Sequence, residues 1–184
     1  MKKLILFVDS GDTFVDEATE VRDENGTVVH SEMFPGAQGL LADWRDAGYS
    51  VVLVADGTVA SFENIYQEKG LSDCFCKRVI SEAVGVCKPN AAMFEEAMRV
   101  MNLGESDKKR IVMIGNNLER DIVGANRMGI RSIFIAVSNK RRKYPLCEEE
   151  IPTYVVKNHT ELRALVEVLE MQLENQDILE IKNT

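Results

Sequence analysis

The sequence predicts an α/β protein built on a mainly parallel sheet with helices on both faces, a three-layer sandwich. Short apolar runs alternate along the chain with stretches of helical periodicity, and most of the runs stop abruptly at turn-forming residues. An apolar run of strand length without polar alternation reads as a strand buried on both faces. Strand–helix alternation then implies right-handed crossovers and a parallel sheet. The polar residues of interest, Asp9 to Thr13, Ala55 to Thr58, Lys88, and Asn116 to Asp121, all follow strands or lie in loops. Parallel strands bring their carboxyl ends to one edge, so these segments are expected to converge there, where ligands bind in open sheets.

The elements follow in order. Leu4 to Val8 forms the first strand and ends at Asp9. An Asp here either projects into a site or caps a loop. Residues 17–34 hold a small, exposed β-hairpin turning at Asn25-Gly26 and standing as a flap over the end of that strand. Pro35 opens a helix with Leu40, Leu41 and Trp44 on one face, and Gly48 closes it. Ser50 to Val54 is the second strand. A helix from Val59 to Lys69 carries Phe62, Ile65 and Tyr66 inward and stops at Gly70. Arg78 to Ile80 is a short strand. Gly85 to Pro89 is a loop leading into a helix with Met93, Phe94, Ala97, Met98 and Met101, a spacing that reads as core packing.

Arg110 to Ile114 is the next buried strand, followed by Gly115-Asn116-Asn117 and a helix to Met128. Ser132 to Ala136 makes another strand, residues 139–152 are irregular and charged, and Tyr154 to Val156 forms an edge strand. Asn158 with Glu161 reads as a capping box for a helix to about Asn175, with Leu162, Leu165, Val166, Leu169 and Leu173 inward. One domain over residues 1–176 is expected, with 177–184 as a frayed tail.

Composition narrows the function classes. Hydrophobic residues make up 45% of the 184 and charged residues 28%, ordinary values for a globular protein. The net charge of -8 argues against general nucleic-acid binding. No stretch approaches a membrane span, and the apolar start is too short for a signal peptide. Cys74, Cys76, Cys87 and Cys147 lack zinc-type or CxxC spacing, so reduced thiols and a cytoplasmic location are expected. His30 and His159 have no ligand partner at metal spacing, and Lys140 to Lys143 reads as a solvated basic face.

Taken jointly, KLILFVDSGDT, the small polar loop after the second strand, GVCKPNAAMFEEAM and MIGNNLERDIVGANRMGI resemble the haloacid dehalogenase-like (HAD) hydrolase superfamily over nearly the whole chain. The resemblance implies a Rossmann-like sheet, Mg²⁺ and, most often, phosphate-ester hydrolysis through an aspartyl-phosphate on Asp9. The chemistry is sound, because a carboxylate can approach a dianionic phosphate only where a hard cation and a fixed ammonium neutralise both. On this basis Asp9 is the nucleophile and a metal ligand, and Lys88 holds Asp9 and the transferring phosphoryl group. Asp121 orients Lys88 or binds a metal water; a helix-start acid favoured by the dipole is the plain alternative. Gly11 and Asn116 complete the metal set, and Ser10, Ala55, Asp56, Gly57 and Asn117 the phosphate and substrate set. Gly115 permits close backbone approach, and Gly124-Ala125 serve helix–sheet packing.

Three departures stand beside that resemblance. The family's phosphatases usually carry a second Asp two residues after the nucleophile, as general acid/base; here that position is Gly11 and the acid is Asp12. A one-residue offset in an extended chain turns a side chain to the opposite face, so Asp12, the nearest candidate for a catalytic role, is expected to bond loop amides instead. Ala55 replaces the hydroxyl residue after the second strand, with Thr58 nearby, and Asn116 replaces a metal-binding Asp, which costs a ligand charge. Low or unusual activity is therefore expected, with a catalytically impaired fold used for binding or regulation as the alternative. No room exists for a large cap, so a capless member is expected. Its open site suits a large or extended phosphorylated substrate, or a small one enclosed by a second subunit.

Overall fold

The computed structural model describes residues 3–182, with side chains through Asn175. Its six-stranded sheet contains β1 (Ile5–Val8), β4 (Ser50–Ala55), β5 (Lys77–Ile80), β6 (Ile111–Gly115), β7 (Arg131–Ile135) and β8 (Tyr154–Val156). The order is β5-β4-β1-β6-β7-β8, and every pairing is parallel. β1 therefore lies between β4 and β6, with both carboxyl ends beside its own. The separate antiparallel pair is β2 (Val15–Arg22) with β3 (Val28–Met33).

Side chains of β1 alternate between two cores, as a pleated strand requires. Leu4, Leu6 and Val8 join one apolar cluster with residues of α1 (Ala37–Asp46), α2 (Val59–Glu68) and α6 (His159–Lys182). Ile5 and Phe7 join the other, with Met93, Phe94, Ala97 and Met98 of α4 (Ala91–Val100) and Ala125 of α5 (Val123–Arg127). This is the three-layer, Rossmann-like arrangement expected. A short turn of helix, α3 (Ser81–Val84), was not expected and follows β5 directly.

The cap of α6 is reciprocal, but shifted. Glu161 N donates to Asn158 Oδ1 at 2.9 Å, while the Glu161 carboxylate reaches back to Lys157 N at 2.8 Å. Leu162, Val166, Leu169 and Leu173 are buried as expected. A fully buried leucine contributes about 1.5–3 kcal/mol, so this helix anchors one face of the sheet. It also buries an acid that the apolar pattern hides: Glu170 accepts from Lys3 N and Leu4 N, each at 2.9 Å. The helix continues past the expected end near Asn175 to Lys182; Asn183 and Thr184 of the expected frayed tail lie outside the described residues.

Two other expectations gain detail. The hairpin packs along α2, where Val28 N donates to Ser61 Oγ at 3.0 Å and Asn64 Nδ2 to Val28 O at 2.9 Å, while Glu17 of its first strand stays beside Gly11, just past β1. Burial of Val28 and Ser31 holds it there. The helix expected from Asn117 to Met128 is divided into a wide π-helical turn, Leu118–Ile122, and α5. Gly124 belongs to the packing of helix on helix: a Cβ there would meet the Phe94 ring of α4 at 2.3 Å.

Candidate active site

The carboxyl ends of β1, β4 and β6 bring together the residues that the sequence scatters over more than a hundred positions. Asp9 leaves β1 while still held to its neighbour, since its amide donates to Ile114 O at 2.9 Å. The chain then closes tightly, with Thr13, Phe14 and Val15 amides all donating to Ser10 O. This turn swings Thr13 Oγ1 to 3.1 Å from Asp9 Oδ2. His159 fastens the turn from outside, its Nε2 donating to Thr13 O at 2.9 Å. Burial holds the His159 imidazole below its ordinary pKa, although its bonds to backbone oppose this.

Lys88 is the centre. Its ammonium donates to Asp9 Oδ1 at 2.7 Å, Asp121 Oδ1 at 2.7 Å and Val54 O at 2.8 Å. An ammonium has three donors, and here all are used. Burial alone would lower its pKa, but Asp121, then Asp9 and Asp56, outweigh that and hold it well above the ordinary lysine value. Asp121 is pushed up, to about 7, by burial; Lys88 opposes this and the charge on Asp9 adds to it. One ammonium thus faces two carboxylates, leaving an excess negative charge suited to a further cation.

The backbone prepares these positions. Asp56, past the end of β4, accepts from Lys88 N at 3.0 Å on one oxygen and from Arg120 on the other at 3.2 Å. The π-helical turn after Asn117 carries Asp121 back, so that Asn117 N donates to its Oδ2 at 3.0 Å. Gly115 is required here, because a Cβ would lie 2.2 Å from Asp121 Oδ2. Asn116 is buried, and its Nδ2 has no hydrogen-bond partner.

These residues line a small polar hollow of about 40 Å³, formed by Asp9, Gly11, Asp56, Lys88, Asn116 and Asp121 together with Glu17, Asn117, Arg120 and Arg141. A larger cavity of about 520 Å³ is lined by Asn126, Arg127, Ile130, Glu148, Glu149 and their neighbours, and by none of the residues around Lys88.

Several expected site residues lie outside the hollow. Ser10 is buried and its hydroxyl pairs with Tyr66 Oη at 2.7 Å, so it faces the core. Ala55 is a buried core residue at the end of β4. Gly57 N is taken by Ser81 Oγ at 2.9 Å. Asp12 is also outside and lacks the loop-amide bonds expected of it. It sits at φ 53, fully buried, with neither carboxylate oxygen hydrogen-bonded and Lys140 Nζ 3.6 Å from Oδ1. The left-handed backbone is the physical reason, since it breaks the extended alternation on which the expectation rested.

Glu17, Arg120 and Arg141 were not expected at the site. Glu17 comes from β2, and a Cβ on Gly11 would lie 2.0 Å from its Oε1. Its carboxylate therefore fills the room that a side chain at position 11 would take. Burial raises its pKa, with Asp12 and Glu20 adding and Arg141 opposing. Nothing in the local pattern around Glu17 signals this, because the fold of the loop decides it.

Fold and site together define a parallel α/β protein with a carboxylate–ammonium–carboxylate centre at its strand ends. The particular family follows from comparison with known sequences. The model of the haloacid dehalogenase-like hydrolases matches residues 4–129, and the chain belongs to that family. It is 31% identical over 132 residues to the pyrimidine 5'-nucleotidase YjjG of Escherichia coli, covering 72% of this chain and 56% of that one. It is 31% identical over 139 residues to the glyceraldehyde 3-phosphate phosphatase of Pyrococcus furiosus, covering 75% and 55%. The chain thus spans about half the length of these relatives. A HAD-superfamily hydrolase from Ehrlichia chaffeensis shares the fold at a TM-score of 0.69 and 15% identity, covering 92% of this chain and 98% of that one.

Proposed function

We propose that this chain is a Mg²⁺-dependent phosphatase that hydrolyses phosphate esters through an aspartyl-phosphate on Asp9. The observation that carries the reading is the Lys88 ammonium, 2.7 Å from both Asp9 and Asp121. It fixes the Asp9 carboxylate and places a permanent positive charge where a phosphate would enter. Two relatives named as enzymes of phosphate esters support it. The donors present fit a hard cation: the Asp9 and Asp121 carboxylates, the Gly11 carbonyl, and the buried Asn116 amide, whose nitrogen has no hydrogen-bond partner among the described residues. Among the described residues no three His, Cys, Asp or Glu side chains form a metal site by themselves. Mg²⁺ suits such a set, since it uses one or two carboxylates, waters and substrate phosphate. When bound, it would neutralise charge on the phosphate.

In the first step an Asp9 oxygen bonds to phosphorus as the bond to the leaving oxygen breaks, and that oxygen takes a proton. Water then displaces phosphate and restores the carboxylate. Gly11 has no proton to give, and Asp12 is fully buried and does not line the hollow. Glu17 lines the hollow, its carboxylate occupying the room beside Gly11, so on this reading Glu17 is the donor. A general acid contributes about 10²–10⁴-fold, so an imperfectly placed one accounts for low activity without abolishing it. The hairpin is the one insertion after β1 and contributes Glu17 to the hollow, which suits a capless phosphatase. The four free thiols suit a cytoplasmic setting.

The test is a phosphate-ester panel with Mg²⁺ on wild type and Asp9→Asn. Turnover that falls by orders of magnitude in the variant is expected, and equal turnover in both overturns the proposal. A second reading, a retired enzyme fold used for binding, is favoured by Ser10 and Ala55 being turned to the core. It requires no turnover and no Mg²⁺ binding by calorimetry.

A further inference from the structure

We infer that a second anion-binding subsite adjoins the catalytic hollow, and that the substrate is a phosphate monoester carrying a second anionic group, phosphate or carboxylate. The inference rests on the phosphatase reading for the identity of the neighbouring hollow.

Size comes first. The hollow at Asp9 has a volume of about 40 Å³. One water-sized probe needs roughly 10–15 Å³, so the hollow takes a phosphoryl-sized group and little else. The rest of any ester must leave it. Beside it lies a cavity of about 170 Å³, lined by Asn117, Leu118, Glu119, Lys140, Arg141 and Arg142. Asn117 and Arg141 line both, so the two spaces share a wall.

Charge comes second. Three cations and one acid, Glu119, line the second cavity, on a protein whose net charge is -8. Lys140 and Arg142 are already committed inside the protein. Lys140 Nζ stands 3.6 Å from the buried Asp12, and Arg142 grips Glu150 at 2.6 and 2.9 Å and Glu119 at 3.0 Å. These ties fix the loop and leave Arg141 between the two spaces. Arg141 is exposed, and its charge acts on Glu17 across the hollow, with no hydrogen bond to other described residues. Its guanidinium keeps all five donors for a ligand, in a fork that matches a carboxylate or phosphate. The basic run expected to be a merely solvated face thus has two committed members and one available at the site.

The test compares matched substrates in Mg²⁺: fructose 6-phosphate with fructose 1,6-bisphosphate for a second phosphate, and glycerol 3-phosphate with 3-phosphoglycerate for a carboxylate. A charge-assisted contact predicts kcat/KM about tenfold higher for the doubly anionic member of at least one pair. The pair that shows the preference identifies the anion. Arg141→Gln is expected to reduce that ratio to near one, while Lys143→Gln, which lines neither space, keeps it. A ratio near one in wild type for both pairs, or a preference that survives Arg141→Gln, overturns the inference. Wild type that turns over no ester refutes the phosphatase reading instead. The subsite is then judged by calorimetric titration with the same pairs: equal binding within each pair, or a difference that Arg141→Gln retains, overturns it.

Discussion

Replacing Lys88 with methionine tests the central geometry without reference to any substrate. The variant keeps a flexible chain of similar length and removes three hydrogen bonds at once. Asp121 would keep only the Asn117 amide, and Asp9 only the Thr13 hydroxyl. The Lys88 and Asp121 side chains are only 1% exposed and that of Asp9 13%, so the lost contacts are largely buried. Breaking a buried pair by removing one partner costs about 3–5 kcal/mol. The penalty has a definite sign with pH. Burial already pushes Asp121 up to about 7, and without the ammonium that opposes this its pKa goes higher still above the unfolded value near 3.9. The folded state then binds more protons than the unfolded state, and its stability falls as pH rises through the raised value. Wild-type Lys88, held high, is charged in both states over this range and adds no slope of its own. Urea unfolding in the presence of a chelator at pH 7.5 and pH 5 is the assay. A penalty of about 3–5 kcal/mol at pH 7.5 that shrinks at pH 5 is expected. A penalty below about 1 kcal/mol, or one unchanged at pH 5, would show that Lys88 does not offset the buried charge of Asp121.

Other expectations follow from the same coordinates. Gly11→Asp should not restore fast turnover alone, since its Cβ would lie 2.0 Å from Glu17 Oε1; combined with Glu17→Ala it should exceed the sum of the single effects, as a double-mutant cycle in kcat would show. The buried imidazole of His159 is held below its ordinary pKa, so the unfolded state binds the extra proton and stability is lost as pH falls through the unfolded value near 6.5. Thermal melts between pH 7.5 and 5.5 should therefore show a smaller loss for His159→Gln than for wild type, and equal losses would contradict the assignment.

The strand runs, the order of elements and the convergence of Asp9, Lys88 and Asp121 were legible in the chain because they depend on local periodicity and on the rule that parallel strands end on one side. Gly115 was legible for a similar reason, as a glycine directly at the end of a strand beside polar residues. The hairpin's resting place was not, since Val28 and Ser31 are placed by packing on α2, a contact between segments separated by some thirty positions. The direction of Ser10 likewise depends on Tyr66, which its own neighbourhood does not reveal.

By itself, then, the order of residues determined a parallel α/β fold and the polar segments that meet at its edge, because burial on both faces of a strand leaves few ways to place polar ends; the resemblance to the HAD hydrolases singled out Asp9, Lys88 and Asp121 among them. Only the tertiary structure decided which nearby groups share that edge. It turned Asp12 and Ser10 inward and brought Glu17 over Gly11, with Arg141 alongside. The reason is physical: a backbone angle at one turn and a few long-range contacts fix side-chain direction, and neither leaves a periodic trace in the sequence.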